Sequence, residues 1–425
     1  MTHESWGRSI PSSPAHVLDV TWASDAPRAQ DDLVLPYGRG RSYGDVCLNN
    51  GHTLLDTHRM SHLLAFDENA GVLTCEAGAT LDDILRVVVP RGWFLPVTPG
   101  TKFVTVGGCI ANDVHGKNHH RAGTFGRHVR WLELLRSDGT RLRCAPGDEL
   151  FRATIGGLGL TGLIVQAEIQ LRKIESSAIV EERIPFRSLE EFEALSAASD
   201  ATYEYTVAWL DTFRARGLFI RGNHVLSGPA GSQPVDGLRG RRSSKHLPVA
   251  AFSPFLIRPT IRAFNAAYFH GTARPEPHPV HYDPFFYPLD AVANWNAVYG
   301  KRGFLQYQFV IPEAAGLQPV AEILRQLGDS PLAVIKKFGA LESPGLLSFP
   351  LHGTTVSMDF PAREPFLPLL ERCDEIVEAH GGRVYPAKDS RMAPERFRRF
   401  FPQWQELQLH ADPKFSSSFW RRVMQ

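Results

Sequence analysis

Short apolar runs separated by glycine-containing loops characterise residues 33–173, and this pattern predicts short β-strands. Leu81–Val89 differs, because its apolar residues have helical spacing and follow Thr80, a residue type that caps helices. The Ser-Asp-Gly sequence at 137–139 predicts a hairpin turn. This part of the chain is therefore predicted to be α+β and not a regular βαβ repeat.

The pattern changes after Lys173. Helical spacing over Ser188–Ser199 is followed by a strand-like run over Tyr203–Leu210. Strand and helix patterns then return in the last third of the chain. The predicted strands there are Phe304–Ile311, Leu332–Phe338 and Thr355–Phe360, and the predicted helices are Ala314–Leu327 and Pro365–His380.

The length and the charge balance limit the class of protein. At about 150 residues per domain, a chain of 425 residues predicts two or three domains. Lys and Arg number 46 and Asp and Glu 45, so the formal net charge is +1. A chain this balanced lacks the basic field of a typical nucleic-acid-binding protein, and we expect no nucleic-acid partner.

Cysteine spacing and terminal sequence indicate the cellular environment. The five cysteines are scattered and form no CxxC pair, which argues against a disulfide framework and a zinc–thiolate site. The first residues show no signal-peptide pattern, and no run approaches the roughly 20 apolar residues that a membrane span needs. We expect a cytoplasmic protein, with peripheral contact at the inner membrane as the closest approach to lipid.

Residues 225–275 are unusually basic and contain a single acidic residue, Asp236. Glycine, proline and serine are dense in the first half, which predicts a mobile loop, and an apolar stretch, LPVAAFSPFLI, occupies 247–257. Two interpretations stay open: a basic lid that works at a membrane surface, or a solvated loop over an active site. The basic residues are Arg239, Arg241, Arg242, Lys245, Arg258, Arg262 and Arg274.

The first of three glycine-rich segments is YGRGRSYGD, Tyr37–Asp45. Closely spaced glycines let backbone N–H groups approach phosphate oxygens, and Arg39 or Arg41 can add positive charge. The spacing is GxGxxxG, which differs from the Rossmann GxGxxG, and no helical pattern follows. By itself the segment is either a phosphate loop or an ordinary tight turn.

The second segment, Pro99–His120, combines small residues with Thr, Asn, His and Lys, a composition that suits a planar ring lying against the backbone. His115 and His119 have the i, i+4 spacing of zinc ligands. Gly116 and Asn118 disfavour a helix there, however, and the glutamate of an HExxH motif is missing. We expect no metal at this position.

The third segment, Ala153–Gly162, would by itself be a glycine-kinked turn between strands. Three such segments within residues 37–162 favour a single large cofactor that carries phosphate groups.

Together these segments resemble the flavin oxidases of the vanillyl-alcohol oxidase type, and within them the flavin half of a sugar epimerase. GRGRSYGD, TPGTKFVTVGGCIANDVHGKNHH and IGGLGLTG occur in the family's order, and FLQYQFVIP, VIKKFG, VSMDFP and GGRVYPAKDSR extend the match almost to the end of the chain. The resemblance implies an α+β fold of two domains: a PCMH-type FAD-binding domain built from both chain ends, and an inserted substrate domain with an antiparallel sheet. The expected limits are 1–173, 174–382 and 383–425.

The resemblance also implies which residues hold FAD. Because Arg41–Asp45 contains no histidine, we expect the flavin to be bound without a covalent link. The implied FAD-binding residues are Gly38, Arg39, Gly40, Arg41, Ser42, Tyr43, Gly44, Gly100, Thr101, Thr105, Val106, Gly107, Gly108, Ala111, Asn112, His115, Gly116, Asn118, Gly157, Gly159, Gly162, Ile164 and Tyr385.

Tyr43, His115 and Lys388 are the implied catalytic residues. Oxidation of an alcohol needs a hydride acceptor and a group that takes the hydroxyl proton, and a desolvated lysine such as Lys388 can do the latter. On sequence alone, a surface lysine paired with Asp389 is the better explanation of Lys388, and the catalytic role comes from the resemblance. The implied substrate-binding residues are Lys117, Gln306, Gln308, Lys336, Phe338 and Ser357.

Lys117 and Lys336 suit a substrate phosphate, or else are solvated surface charges. Ser357 stands where mycobacterial members carry cysteine, and Thr355 replaces an asparagine, so the substrate of this chain can differ from theirs.

The expected function is FAD-dependent oxidation of a secondary alcohol of a sugar or polyprenyl-phosphosugar, from the C2 hydroxyl to a ketone. A short-chain reductase partner would complete the epimerisation. The alternatives are an alditol- or aldonolactone-type oxidase acting on a small soluble polyol, and a flavin-loaded binding protein without turnover.

Overall fold

The computed structural model describes residues 2–25, 32–226, 256–362 and 366–425. Its strands are β1 (His16–Asp19), β2 (Val34–Tyr37), β3 (Thr53–Asp56), β4 (Leu63–Asp67), β5 (Val72–Glu76), β6 (Trp93–Phe94), β7 (Val129–Leu135), β8 (Arg141–Cys144), β9 (Leu163–Gln170), β10 (Arg172–Lys173), β11 (Ala178–Phe186), β12 (Tyr205–Asp211), β13 (Arg216–His224), β14 (Arg274–His281), β15 (Phe304–Pro312), β16 (Ala333–Phe338), β17 (Gly353–Pro361) and β18 (Arg383–Val384).

The helices are α1 (Leu81–Val88), α2 (Val106–Ala111), α3 (His119–Ala122), α4 (Glu149–Thr154), α5 (Leu189–Ser199), α6 (Arg258–Gly271), α7 (Tyr282–Phe286), α8 (Gln318–Leu327), α9 (Leu367–Ala379), α10 (Pro394–Phe400), α11 (Trp404–His410) and α12 (Ser418–Val423). Across the described residues, none of these helices has the length and apolar character needed to cross a membrane. The predicted mixture of helices and strands is confirmed.

Two larger sheets, a two-stranded sheet of β6 and β10, and one main core form the N-terminal part. β1, β3 and β2 pair in parallel, and β4, β5, β9, β7 and β8 form an antiparallel sheet in that order. Apolar side chains from β5, β7 and β9, from α1 and from α2 are buried together in one cluster, whereas β1 is exposed. Removing this surface from water is the main force that holds the glycine-rich loops in place at its edge.

A second, larger antiparallel sheet follows, in the order β14, β11, β13, β12, β16, β17, β15, β18. The pairing of β15 with β17 aligns Gln306 with Asp359 and Gln308 with Ser357. α8 and α9 pack against the sheet through the second large core, which also takes in apolar residues from α10–α12. The register therefore places the polar residues of β15 and β17 side by side.

The end of the chain returns to the N-terminal part. Phe415 forms a parallel β-bridge with Val34, and the Arg422 guanidinium donates to both carboxylate oxygens of Asp45 at 2.8 Å. Arg422 also reaches Asp389 at 3.0 Å. The domain limits inferred from the sequence remain a prediction, but these contacts join residues from both chain ends.

Several local predictions are confirmed. Thr80 caps α1 with a capping box, in which its hydroxyl accepts from the Asp83 N–H and the Asp83 side chain accepts from the Thr80 N–H. Ser188 caps α5, and the predicted hairpin joins β7 to β8. The helix predicted over Ala314–Leu327 begins only at Gln318, because Gly316 has a positive φ of 64° and interrupts it.

Most of the basic region 225–275 lies outside the described residues, including Arg239, Arg241, Arg242 and Lys245. Its described end is not a loop but the helix α6, which buries Ile261, Asn265 and Phe269 at i, i+4 and i+8. The interpretation of region 225–275 as a lid therefore stays a prediction, and α6 is the helix that the structure describes within it.

Candidate active site

A cavity of about 890 Å³ lies between the N-terminal sheets and the large sheet. This volume is at the upper end of the range for small-molecule and cofactor sites, roughly 300–1,000 Å³. All three glycine-rich segments line it, together with side chains from β12, β15, β16 and β17 and from residues 385–388. The sequence segments that suggested a cofactor are thus assembled around a single space.

The first glycine-rich loop is fixed by backbone hydrogen bonds from both of its sides. The Trp6 N–H donates to the Ser42 carbonyl at 2.8 Å, and the Tyr43 N–H donates to the Ala387 carbonyl at 2.9 Å. A Cβ on Gly38 would lie 2.5 Å from the Thr105 hydroxyl oxygen, so only glycine lets the first and second loops approach this closely.

The cavity wall suits a large ligand that carries phosphate groups. A Cβ on Gly100 would meet no protein atom within 4 Å, so packing within the protein does not require a glycine at this position. A ligand that fills the adjacent space would require one. Arg41 lies over the Trp6 ring at 4.3 Å, and its buried Nε has no partner among the described residues. Although the Asp290 carboxylate acts on Arg41, this buried N–H donor is left without an acceptor, and a phosphate oxygen would supply one.

Aromatic side chains support the inner end of the cavity. The Tyr385 ring stacks on Phe349 at 4.6 Å, and its hydroxyl donates to the Asn112 carbonyl at 3.0 Å. Asn112 follows α2, whose first turn is capped by the Thr105 hydroxyl. These contacts fix the Tyr385 ring and the backbone at Asn112, and together they form a rigid surface on which a planar ring can lie.

Lys388 lies 3.6 Å from the centre of the Tyr43 ring. Burial lowers the pKa of Lys388 to about 7, against the opposing effect of the Asp359 carboxylate. The alternative of a surface lysine paired with Asp389 does not fit this structure, because Asp389 accepts hydrogen bonds from Arg422 and from the backbone of residues 391 and 392. Near neutral pH, Lys388 is therefore partly unprotonated inside the cavity.

His115 is held at both ring nitrogens. Its Nδ1 lies 2.8 Å from the Lys336 Nζ, and its Nε2 lies 3.1 Å from the side-chain amide of Gln308. Burial and the positive charge of Lys336 keep the pKa of His115 well below its usual range, so the ring is neutral. Lys336 also donates to the Gly116 carbonyl at 3.2 Å, and burial lowers its pKa to about 7.

Lys117 is the third lysine of the cavity, and its Nζ lies 5.7 Å from the centre of the Phe285 ring. Burial lowers its pKa to about 8. Among the residues that the structure describes, no carboxylate forms an ion pair with Lys117, Lys336 or Lys388. These three lysines, which we call the cavity lysines, line the same space as Arg41.

Most predicted site residues line the cavity. Those that do not are Gly44, Val106, Asn118, Gly157 and Phe338, which lie behind its wall. Gly44 and Gly157 lie against backbone, since a Cβ would come within 1.6 Å of the Asp389 carbonyl oxygen and 2.1 Å of the Ala153 carbonyl oxygen. The Asn118 amide donates to the Pro96 carbonyl at 2.8 Å. Phe338 packs its ring against His115 at 4.8 Å, and Val106 belongs to the core.

Sequence reasoning missed part of the lining. Trp209, Phe264 and Tyr268 form an apolar end of the cavity, with the Trp209 and Tyr268 rings 4.8 Å apart. A short aromatic stretch on α6 gives no sign of which cavity it faces, because its position depends on how the helix packs on β12. Asp290 was missed for the same reason, although it lines the same cavity as Arg41 and its charge acts on the guanidinium.

Comparison with known proteins agrees with this geometry. A family model described as an FAD binding domain matches residues 11–145. The chain is 34% identical to the decaprenylphosphoryl-β-D-ribose oxidase of Mycolicibacterium smegmatis, over 98% of this chain and 96% of that protein.

Two further relatives show how far the similarity extends. A Streptomyces coelicolor protein described as an uncharacterized protein in the mprA 5′ region is 33% identical over 81% of this chain and 99% of its own. The mitochondrial D-2-hydroxyglutarate dehydrogenase of Rattus norvegicus matches only 27% of this chain and 23% of its own, at 31% identity. Similarity to this dehydrogenase is therefore partial, whereas similarity to the first relative spans the chain.

The predicted PCMH-type FAD-binding fold and the FAD cofactor are thereby confirmed, and the cavity wall fits that cofactor. The chain belongs to the family of FAD-dependent oxidoreductases that includes decaprenylphosphoryl-β-D-ribose oxidase.

Proposed function

We propose that this enzyme oxidises a secondary alcohol of a sugar that carries a phosphate group linked to a lipid, giving a ketone. When FAD is bound, it supplies the acceptor for the hydride. The chain's own residues bind the phosphate, orient the sugar and take up the hydroxyl proton. The C2 hydroxyl is the position that the family resemblance implies.

The cavity lysines carry this proposal. Lys117 and Lys336 are buried without an ion-paired carboxylate among the described residues, and burial favours their neutral forms. Holding both as ammonium groups inside the cavity therefore needs a ligand that supplies negative charge. A neutral polyol would leave this charge uncompensated. A phosphorylated sugar would neutralise it, with Lys117 and Lys336 as the groups available for the phosphate.

Lys388 is the best proton acceptor of the three catalytic candidates. The Tyr43 hydroxyl is buried, which raises its pKa above the usual range and keeps it protonated. Both nitrogens of His115 already have partners. Lys388, with its pKa near neutrality, can accept the alcohol proton at Nζ and become an ammonium group beside Tyr43.

The apolar end of the cavity suits the lipid part of such a substrate. Trp209, Phe264 and Tyr268 line it, and Phe264 is 58% exposed on α6. A hydrocarbon chain that covers these rings would remove apolar surface from water at about 25 cal/mol per Å². A small soluble polyol would leave the same surface exposed.

The substrate class is tested by anaerobic bleaching of the bound flavin. We expect a polyprenyl-phosphoryl pentose to reduce the flavin, and the same pentose without its phosphate to do so far more slowly. Reduction by neutral alditols at a rate equal to that with the phosphorylated sugar would instead establish the polyol oxidase. Failure of every alcohol to bleach the flavin would favour a binding protein without turnover.

The partner and location inferred from the sequence belong to this proposal. The ketone requires a reductase to complete an epimerisation, and a short-chain reductase is the expected class. At the start of α6, exposed Ile257 and Phe264 lie near Arg258 and Arg262, which share Asp329 as their ion-pair partner. Two arginines against one carboxylate leave this apolar surface with positive charge, which suits an anionic membrane. Co-sedimentation with anionic vesicles should weaken as salt is added, whereas a protein that stays in the supernatant at low salt would favour the solvated-loop interpretation.

A further inference from the structure

Asp359 on β17 is a buried carboxylate that none of the residue roles above explains. It is 1% exposed, and its oxygens accept hydrogen bonds from the Tyr299 hydroxyl at 2.9 Å and from the Gln306 amide at 2.6 Å. Within the described part of the chain, no arginine or lysine forms an ion pair with it. A buried acidic residue held only by neutral donors is costly to keep.

The contacts of Asp359 lead to the reacting groups. Gln306, which donates to Asp359, also lies near enough to the Tyr43 hydroxyl to favour its ionised form, and Lys388 lies over the Tyr43 ring. Tyr299, the second donor, stacks on Phe304 at 4.3 Å, and Phe304 contacts the edge of Tyr43. The carboxylate is therefore connected to Tyr43 by ring contacts through Tyr299 and lies next to it through Gln306.

We propose that Asp359 is a positioning residue that orients Gln306 beside Tyr43 and places a fixed negative charge near Lys388, so that the ammonium group formed on proton uptake is stabilised. The proposal rests on the proposed role of Lys388 as proton acceptor. Asp359 does not touch the substrate and transfers no proton itself.

The charges around Lys388 support this role. The Asp359 charge raises the pKa of Lys388 and so favours the protonated lysine. The charge of Lys388 in turn lowers the pKa values of Lys336 and His115. Burial raises the pKa of Asp359 to about 6, so the carboxylate is still ionised at neutral pH. Because the two groups interact, the measured values belong to the pair.

The test compares Asp359→Asn with Tyr299→Phe in the FAD-loaded enzyme. Competitive acetylation at a series of pH values, followed by mass spectrometry of the Lys388 peptide, reports the fraction of neutral amine without any need for turnover. We expect the Lys388 titration to move to lower pH in Asp359→Asn. If the pKa of Lys388 falls from about 7 by one unit, the fraction of neutral Lys388 at pH 6 rises about fivefold. Tyr299→Phe keeps the carboxylate and removes one of the two donors that lower its pKa, so the Lys388 titration should move in the same direction but by less than in Asp359→Asn.

Flavin reduction measured over the same pH range should show its acid limb moving in the same direction. A Lys388 titration that is unchanged in Asp359→Asn overturns the proposal, even when activity falls. A shifted titration with flavin reduction that does not depend on Lys388 supports the role of Asp359 and contradicts the proposed proton acceptor. Where asparagine impairs folding, Asp359→Ser removes the same charge and leaves room for water beside Gln306.

Discussion

Lys388→Met tests the proton acceptor with little change in packing. Methionine keeps an apolar stem of similar length over the Tyr43 ring and removes only the amine that lies 3.6 Å from its centre. Loss of a positioned general base costs about 10²–10⁴-fold in rate, or about 3–5 kcal/mol of transition-state stabilisation. We expect a loss of that size in the rate constant for flavin reduction.

The pH dependence gives the sign of the effect. Lys388 must be neutral to accept a proton, and burial lowers its pKa to about 7. The wild-type rate should therefore rise through neutral pH and level off above it, with about a tenth of the plateau rate at pH 6. This limb should be absent in Lys388→Met.

The assay is anaerobic stopped-flow measurement of flavin absorbance at saturating substrate. The ratio of flavin to protein absorbance serves as the control, because Lys388→Met should still bind FAD. Lys337→Met is a matched control variant, since Lys337 is paired with Glu193 and Glu313 outside the cavity. Flavin reduction within a few-fold of wild type in Lys388→Met, with the acid limb retained, would refute the reasoning.

Three further predictions follow from the structure. Gly44→Ala should prevent stable folding, because its Cβ would lie 1.6 Å from the Asp389 carbonyl oxygen, whereas Gly100→Ala should unfold in urea like the wild type and show its effect only as weaker FAD binding. Arg422→Met should lower the free energy of unfolding by about 3–5 kcal/mol, because it leaves Asp45 and Asp389 buried without their partner; an unchanged urea midpoint would contradict this. Acid precipitation should leave the yellow flavin in the supernatant, and flavin retained in the protein pellet would contradict non-covalent binding.

Local features of the fold could be predicted from the sequence because they depend on neighbouring residues. The capping box at Thr80 and the hairpin between β7 and β8 each involve residues only a few positions apart. The glycine-rich segments could likewise be recognised, because close backbone approach restricts the residue type. α6 was missed, since its apolar positions give a weak pattern among many basic residues.

The arrangement within the site depends on long-range pairing that the sequence does not display. His115 and Gln308 are 193 residues apart, and His115 and Lys336 are 221 apart. Asp359 is brought beside Gln306 only by the register of β17 on β15. Lys388 could be nominated from the family resemblance, but its place over Tyr43 and the absence of a pairing with Asp389 required the folded structure.

Discrimination between a phosphorylated sugar and its dephosphorylated form tests the central claim most directly. The ratio of kcat/KM for lipid-phosphoryl pentose to kcat/KM for free pentose is measured in three proteins. These are the wild type, the double variant Lys117→Met/Lys336→Met, and the control variant Lys337→Met. Contacts between charged groups contribute about 1.5–3 kcal/mol each, so the ratio should fall by at least about tenfold for each cavity lysine removed, while Lys337→Met keeps the wild-type ratio. A ratio that is unchanged when both lysines are lost would contradict a phosphate-bearing substrate.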